Sequence, residues 1–186
     1  NQEQAFRGNQ VYQWLWSKGI HNFDGMTNLS KSIRNLLKSH FVINHIDVDH
    51  QQKSNDGTIK NSVKLYDNFV VESVLIPSAS RTTACISSQV GCPVDCKFCL
   101  TGVMGFKRQL DAAEIIAQVA FAFSIGQPIS NIVFMGMGEP LLNYKNVFEA
   151  ISFLCSEESY NISRRKITVS TSGYIQGIKQ LIKDEN

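Results

Sequence analysis

Gly91-Cys92-Pro93-Val94-Asp95-Cys96-Lys97-Phe98-Cys99 is the stretch on which the reading of this chain turns. Its spacing, Cys-x3-Cys-x2-Cys, puts three thiols on one short loop and supplies no fourth ligand nearby. A closed structural zinc site takes four protein ligands, with Cys or His at finger-like spacing. His21, His40, His45 and His50 all lie upstream, and none follows the loop. Three thiolates on one loop point instead to a [4Fe-4S] cluster with one iron left open, where chemistry can happen. A disulfide framework does not fit, because five cysteines in 186 residues is an odd and thin count, whereas disulfide scaffolds are dense and paired.

Outward from the loop the rhythm becomes strand, loop, helix, repeated. Thr83 to Val90 predicts a strand leading into the cysteines, and Ala112 to Phe121 predicts the helix after them. Asn131-Ile132-Val133-Phe134-Met135 reads as a buried strand, followed by Gly136-Met137-Gly138-Glu139-Pro140. A helix then runs through Val147, Ala150, Ile151 and Leu154, a pattern in which Cys155 reads as a buried apolar residue. Lys166 to Ser170 is the third strand, ended by Thr171-Ser172-Gly173, and a helix begins near Ile175. Such alternation predicts an α/β fold with parallel strands and helices outside them, here a partial (β/α) barrel of about three βα units over residues 78–186. Reactive groups in such folds sit on loops at the carboxyl ends of the strands. The three cysteines, Gly138-Glu139-Pro140 and Ser170 all fall at that end.

Upstream, residues 46–77 read as a short antiparallel β unit. Asp56-Gly57 and Asp67-Asn68 are turn signals, Asn61 to Tyr66 alternates polar and apolar residues, and Phe69 to Ile76 is a strand ended by Pro77. Glu72 is a carboxylate inside that apolar strand, which either faces solvent or points into a site as a proton acceptor. Residues 1–45 read as a small helical module, with Val11, Leu15, Ile33, Leu36 and Leu37 at helical steps, Trp14 and Trp16 adding bulk, and Gly8, Gly19 and Gly25 as punctuation. Asn28 or Ser30 is placed to cap its second helix. As a packing appendage or as an RNA-contacting module, the segment reads equally well.

Composition is ordinary for a globular protein, with 43% hydrophobic and 18% charged residues. The net charge of +2 proves no nucleic-acid partner, although Arg164-Arg165-Lys166 and Lys107-Arg108 are local basic clusters. No apolar leader opens the chain and no apolar run is long enough to span a membrane, so a cytoplasmic protein without a membrane partner is expected. The first residue is not methionine and the last residues read as helix, which suggests part of a longer polypeptide.

On these residues the chain resembles the radical S-adenosylmethionine superfamily: Cys92, Cys96 and Cys99 after the first strand, Phe98 before the last cysteine, and Gly138-Glu139-Pro140 after the second strand. Arg81 to Cys92, Met135 to Asn143, Arg164 to Gly173 and Phe6 to Leu15 narrow the resemblance to the ribosomal and transfer RNA adenine-C2 methyltransferases, N-terminal part only. That resemblance implies a radical-SAM barrel and two cofactors, a [4Fe-4S] cluster on the three cysteines and S-adenosylmethionine positioned by Gly138, Glu139 and Ser170. It implies a 5′-deoxyadenosyl radical that activates a methyl group carried on a second, C-terminal cysteine. A protein–RNA adduct is then resolved by Cys85, with Glu72 as the proton acceptor.

The implied partners are 23S rRNA and tRNA, together with an external electron donor for the cluster. Carbon C2 of adenine is not nucleophilic, so radical addition suits it, and the base must leave its stack to reach a barrel mouth. Phosphate contacts from Arg164 and Arg165 are expected to offset part of that cost. The methyl-carrying cysteine has no counterpart in these 186 residues, so this stretch alone is expected to be inactive on RNA. An unpaired edge strand makes a dimer through that edge a further expectation. The alternatives are an adenine-C8 rRNA methyltransferase of the same superfamily and a non-catalytic metal-binding RNA module.

Overall fold

A computed structural model of the chain describes residues 6–17, 20, 22–43, 46–125 and 129–184. Gly19, His21 and His45, read above, lie outside the described residues. The chain divides into two compact units, Asn1–His45 and Ile46–Asn186.

In the first unit, α1 (Phe6–Tyr12) runs into a π-helical turn, Gln13–Ser17. A short 3-10 turn, Phe23–Gly25, precedes α2 (Lys31–His40). Phe23, Met26, Leu29 and Ile33 form its core, with Val11, Trp14, Leu15 and Leu37 packed against them. Ser30 is the cap of α2, its Oγ accepting the Ile33 N–H at 3.3 Å, which satisfies one of the amides a helix start leaves open. Asn28 is used differently, accepting the indole N–H of Trp14.

The second unit is built on a six-stranded sheet ordered β1-β2-β3-β4-β7-β8. Its strands are β1 (Asp47–Lys53), β2 (Ile59–Lys64), β3 (Val70–Ser78), β4 (Arg81–Cys85), β7 (Ile129–Phe134) and β8 (Ile167–Val169). A separate two-stranded ladder joins β5 (Gln89–Val90) to β6 (Arg108–Gln109). The first four strands of the sheet pair antiparallel through tight turns at Gly57 and Asn68, both at positive φ. From β4 to β7 to β8 the pairing is parallel, as crossover helices require. Helices α4 (Ala112–Ser124), α5 (Tyr144–Cys155) and α6 (Ile175–Asp184) follow β4, β7 and β8, giving the three βα units expected.

Three local features differ from the sequence reading. β1 was not foreseen, because Asp-Val-Asp-His-Gln-Gln-Lys carries no apolar alternation; it is a polar edge strand, the composition that discourages stray pairing. Pro77 lies within β3 rather than ending it. Pairing with β2 stops at Leu75, so beyond it β3 has one neighbour only and the missing N–H is tolerated. The single strand expected over 83–90 is two, because beyond Ile86 the chain leaves the sheet and Ser88 and Gln89 bond Met137 in the loop after β7.

The sheet has two unlike faces. Leu75, Ala84, Ile132 and Phe134 are buried on one face; α4 (Ile115, Ile116, Val119) packs on β7, and α5 (Val147, Ala150, Leu154) packs on α4. Burying each of the larger of these side chains contributes about 1.5–3 kcal/mol. On the other face, register puts Lys60, Val74, Cys85, Val133 and Thr168 in one row across five strands, and Val74, Cys85 and Val133 there are only half-buried. No helix among the described residues is long and apolar enough to cross a membrane.

Candidate cofactor site at the carboxyl end of the sheet

The cysteine loop is a closed excursion between β5 and β6. At its base Lys107 N–H donates to Val90 C=O at 2.9 Å. Gly91 has φ +73, and a Cβ there would stand 1.7 Å from the carbonyl oxygen of Gly105, so only glycine allows the loop to close this tightly. Inside the loop, Cys99 precedes the one-turn helix α3 (Leu100–Val103), and its N–H donates to Cys96 C=O at 3.0 Å.

Cys92, Cys96 and Cys99 are free thiols, each half-buried. The Gly102 N–H and the Thr101 hydroxyl aimed at Cys99 hold its thiol below the ordinary range. Burial pushes Cys92 up, against the Val94 N–H, with repulsion from charge on Cys96 and Cys99 adding to the rise. Among the described residues, no three Cys, His, Asp or Glu side chains converge closely enough to hold a single metal ion. Three thiols on one loop with no fourth Cys or His beside them suit a cluster with one open iron better than a closed zinc site that takes four ligands. Amide donors aimed at Cys92 and Cys99 favour the thiolate such a cluster needs.

Behind this loop, residues 86–89 are bonded to the end of β7 and the segment after it. Ile86 N–H donates to Val133 C=O at 3.0 Å, Gly136 N–H to Ile86 C=O at 3.1 Å, and Ser88 and Gln89 N–H to Met137 C=O at 2.9 and 3.2 Å. Ser87 Oγ accepts the Met137 N–H at 2.9 Å and donates to Glu72 C=O at 2.6 Å. A Cβ on Gly136 would sit 2.7 Å from Ile86 O, and one on Gly138 (φ +103) would sit 2.6 Å from Gln89 Cβ. Both glycines are therefore fixed by the close approach of the two segments.

Glu139 is 3% exposed, and its carboxylate is fully engaged within the chain. Oε1 accepts the Leu141 N–H at 3.0 Å, while Oε2 accepts the Ser172 N–H at 2.7 Å and the Ser172 hydroxyl at 2.9 Å. The carboxylate thus already has three donors. The same carboxylate ties the turn after β8 to the loop after β7.

Ser170 follows β8 and is exposed, on the half-open face by its register with Thr168. Cys85 lies on that face at the end of β4. Burial pushes its thiol up, partly offset by the Met135 N–H. Glu72 is also on this face, beyond the end of β4, where it forms a 2.6 Å ion pair with Lys60, both side chains nearly half exposed. The sheet thus gathers Glu72, Cys85 and Ser170 on one face, with the cysteine loop and Gly138-Glu139 at its carboxyl end.

Of the basic clusters, Arg164–Lys166 form a 3-10 turn leading into β8, at its amino end. Arg108 is locked by Glu114 at 2.7 and 2.8 Å and by Asp67 at 2.6 Å. Cys155 is half-buried rather than buried. Sequence reasoning missed Gln89, Gln109 and Asn143 as parts of the site. Asn143 Nδ2 donates to Ser88 and Leu110 carbonyls at 2.8 and 2.7 Å. The one trace in the sequence is the polar run Ser87-Ser88-Gln89 where a buried strand would be apolar.

Residues 1–43 match the family described as "Ribosomal RNA large subunit methyltransferase N-terminal domain", and residues 86–184 match "Radical SAM superfamily". A "Probable dual-specificity RNA methyltransferase RlmN" of Flavobacterium psychrophilum is 55% identical, over 100% of this chain and 55% of that protein. The "Dual-specificity RNA methyltransferase RlmN" of Marinobacter nauticus is 45% identical, over 96% of this chain and 50% of that protein. A crystal structure of a radical SAM methyltransferase from Sphaerobacter thermophilus superposes with a TM-score of 0.86 at 39% identity, covering 95% of this chain and 53% of that one. The chain spans about half the length of the curated relatives it matches. With the superfamily match covering residues 86–184 and the cysteine loop built as described, the chain belongs to the radical SAM superfamily and, within it, aligns along its whole length with the dual-specificity RNA methyltransferases.

Proposed function

We propose that this chain is the cofactor-holding half of an RNA methyltransferase acting at C2 of adenine in 23S rRNA and tRNA. What carries the reading is the meeting of three loops at the carboxyl end of parallel strands, with Cys92, Cys96 and Cys99 on the first, Gly138-Glu139 on the second and Ser170–Gly173 on the third. The superfamily's cofactors, a [4Fe-4S] cluster and S-adenosylmethionine, supply one-electron chemistry able to functionalise a carbon that polar methyl transfer cannot reach.

The chain's own residues would bind, orient and shield. Cys92, Cys96 and Cys99 would hold the cluster. Backbone carbonyls around Gly138 would take the ammonium of the sulfonium cofactor, and Ser170, exposed on the same face, would position it. Glu139 would act by fixing the loop, since its carboxylate is committed to Leu141 and Ser172. Glu72 would accept a proton from the base and Cys85 would release the product, both from the half-open face. An external donor would reduce the cluster, and the helical unit of residues 1–45 would contact RNA.

The test uses the full-length protein, reconstituted anaerobically with iron and sulfide and given S-adenosylmethionine, a reductant and RNA. Cluster uptake and 2-methyladenosine in the digested RNA are expected. Only 8-methyladenosine would move the assignment to the C8 enzyme, and one equivalent of zinc without iron would move it to a metal-binding RNA module.

A further inference from the structure

We propose that Gln89 is a positioning residue that, with Gln109, sets the separation between the cysteine loop and the backbone at Gly138-Glu139. The inference rests on the reading above of these segments as holders of cluster and cofactor.

Gln89 is fully buried in β5, the strand that closes the cysteine loop. Pairing of β5 with β6 places it opposite Gln109. Its Oε1 accepts the Glu139 N–H at 2.7 Å, and its Nε2 donates to Gln109 Oε1 at 2.8 Å. Gln109 Nε2 then donates to Leu142 C=O at 2.9 Å. The relay begins on an N–H and ends on a carbonyl of the same loop, so each amide can face only one way. Reversing either would set donor against donor or acceptor against acceptor at both of its ends. The stem of Gln89 also fills the space that a Cβ on Gly138 would take, at 2.6 and 2.7 Å.

A buried amide of this kind costs desolvation that an apolar residue of similar volume avoids. What it adds is a defined distance, and chemistry between two separately held groups is sensitive to that distance. Misplacement by about 1 Å can lower the rate about 100-fold. Asn143, bonded to Ser88 and Leu110, ties the same segments independently. Loss of the glutamine relay is therefore expected to loosen the spacing without unfolding the loops.

The experiment compares the unaltered full-length protein with Gln89→Leu, Gln109→Leu, the double variant and Gln89→Glu, all reconstituted anaerobically. Iron and sulfide per chain, equilibrium dialysis of S-adenosylmethionine, and the electron paramagnetic resonance spectrum of the reduced cluster with and without that cofactor are measured. Expected are unchanged iron content, cofactor affinity weaker by about 10- to 100-fold, and loss of the spectral change that the cofactor produces. The two leucine variants should match each other, and the double variant should be no worse, since they break one strut. Gln89→Glu should behave like Gln89→Leu, because its second oxygen forces Gln109 to present an oxygen to the Leu142 carbonyl.

Parent-like affinity and spectra in both leucine variants would overturn the proposal. So would iron loss in proportion to cofactor loss, the mark of a merely structural residue. Should Gln89→Leu not fold, the half-buried Gln109→Leu decides on the same measurements. Failure of the unaltered protein to take up iron and sulfide would overturn the functional reading beneath it.

Discussion

Replacing Glu139 by glutamine keeps the side chain's shape and removes one acceptor from a buried clamp. In the native loop one carboxylate oxygen serves Leu141 N–H at 3.0 Å, and the other serves the Ser172 N–H and hydroxyl at 2.7 and 2.9 Å. An amide has a single oxygen. Turned toward Ser172, it sets its NH2 against the Leu141 N–H, leaving a buried donor unpaired at about 1–3 kcal/mol. The two surviving bonds lose their charge assistance, about 1 kcal/mol each. The neutral amide recovers part of this, since it avoids the desolvation of a buried carboxylate. The net expectation is a loss of about 2 kcal/mol, concentrated in the loops after β7 and β8. Urea unfolding of the full-length Glu139→Gln variant measures the sum. Hydrogen exchange locates it, because opening by about 2 kcal/mol should speed exchange at the Ser172 and Leu141 amides about 30-fold. Stability within about 0.5 kcal/mol of the parent, with the Ser172 amide as protected as before, would refute the clamp.

Other outcomes follow from the same contacts. Gly91→Ala, whose Cβ would meet the Gly105 carbonyl oxygen, should lose iron uptake while keeping the circular dichroism of the parent; normal iron content would refute the loop closure. Arg108→Leu, which strands Glu114 and Asp67, should cost about 3 kcal/mol by chemical denaturation, and a change under about 1 kcal/mol would show the network to be dispensable. Asp67 is held below its ordinary value of 3.8 mainly by its bond to Arg108. Its contribution is therefore full above that value and lost as pH falls through the lowered one, so stability of the parent should fall more steeply below pH 3.8 than that of Arg108→Leu. Parallel acid limbs would refute this. β8, three residues long at the end of the sheet, should let the 186-residue chain expressed alone pair with a second copy; a monomer by light scattering at high concentration would count against it.

Much of the site can be read in the sequence because its parts are local. The cysteine spacing lies within nine residues, and the apolar runs before Gly136 and Thr171 mark strand ends, which places the motifs at one end of the sheet. What escaped reading is what closes over distance. Ser172 lies 33 residues from the carboxylate it clamps, and Asp67 lies 41 residues from Arg108. Lys107-Arg108 therefore read only as a local basic cluster, although Arg108 is spent on structure. The segment 83–90 has strand-like composition, and its break after Cys85 is set by partners beyond β7 rather than by any local breaker. β1 lacks apolar alternation because an edge strand has little to bury. Glu72 was open between solvent and site; it lies on the half-open face, paired with Lys60, two residues along β3 from Val74, the register partner of Cys85.

The bonding of residues 86–89 to the segment after β7 has a consequence for anyone who would move this chemistry elsewhere. Gly136, Met137 and Glu139 donate their amides to residues 86–89, Ser88 and Gln89 donate theirs back to Met137, and two glycines in one segment are shaped by side-chain and backbone atoms of the other. The nine-residue cysteine motif, grafted alone onto another barrel, would arrive without the wall that gives it shape. The smallest transplantable piece is the pair of adjacent strands with both loops and the two glutamines between them, and sequence drift in either loop should be answered by change in the other.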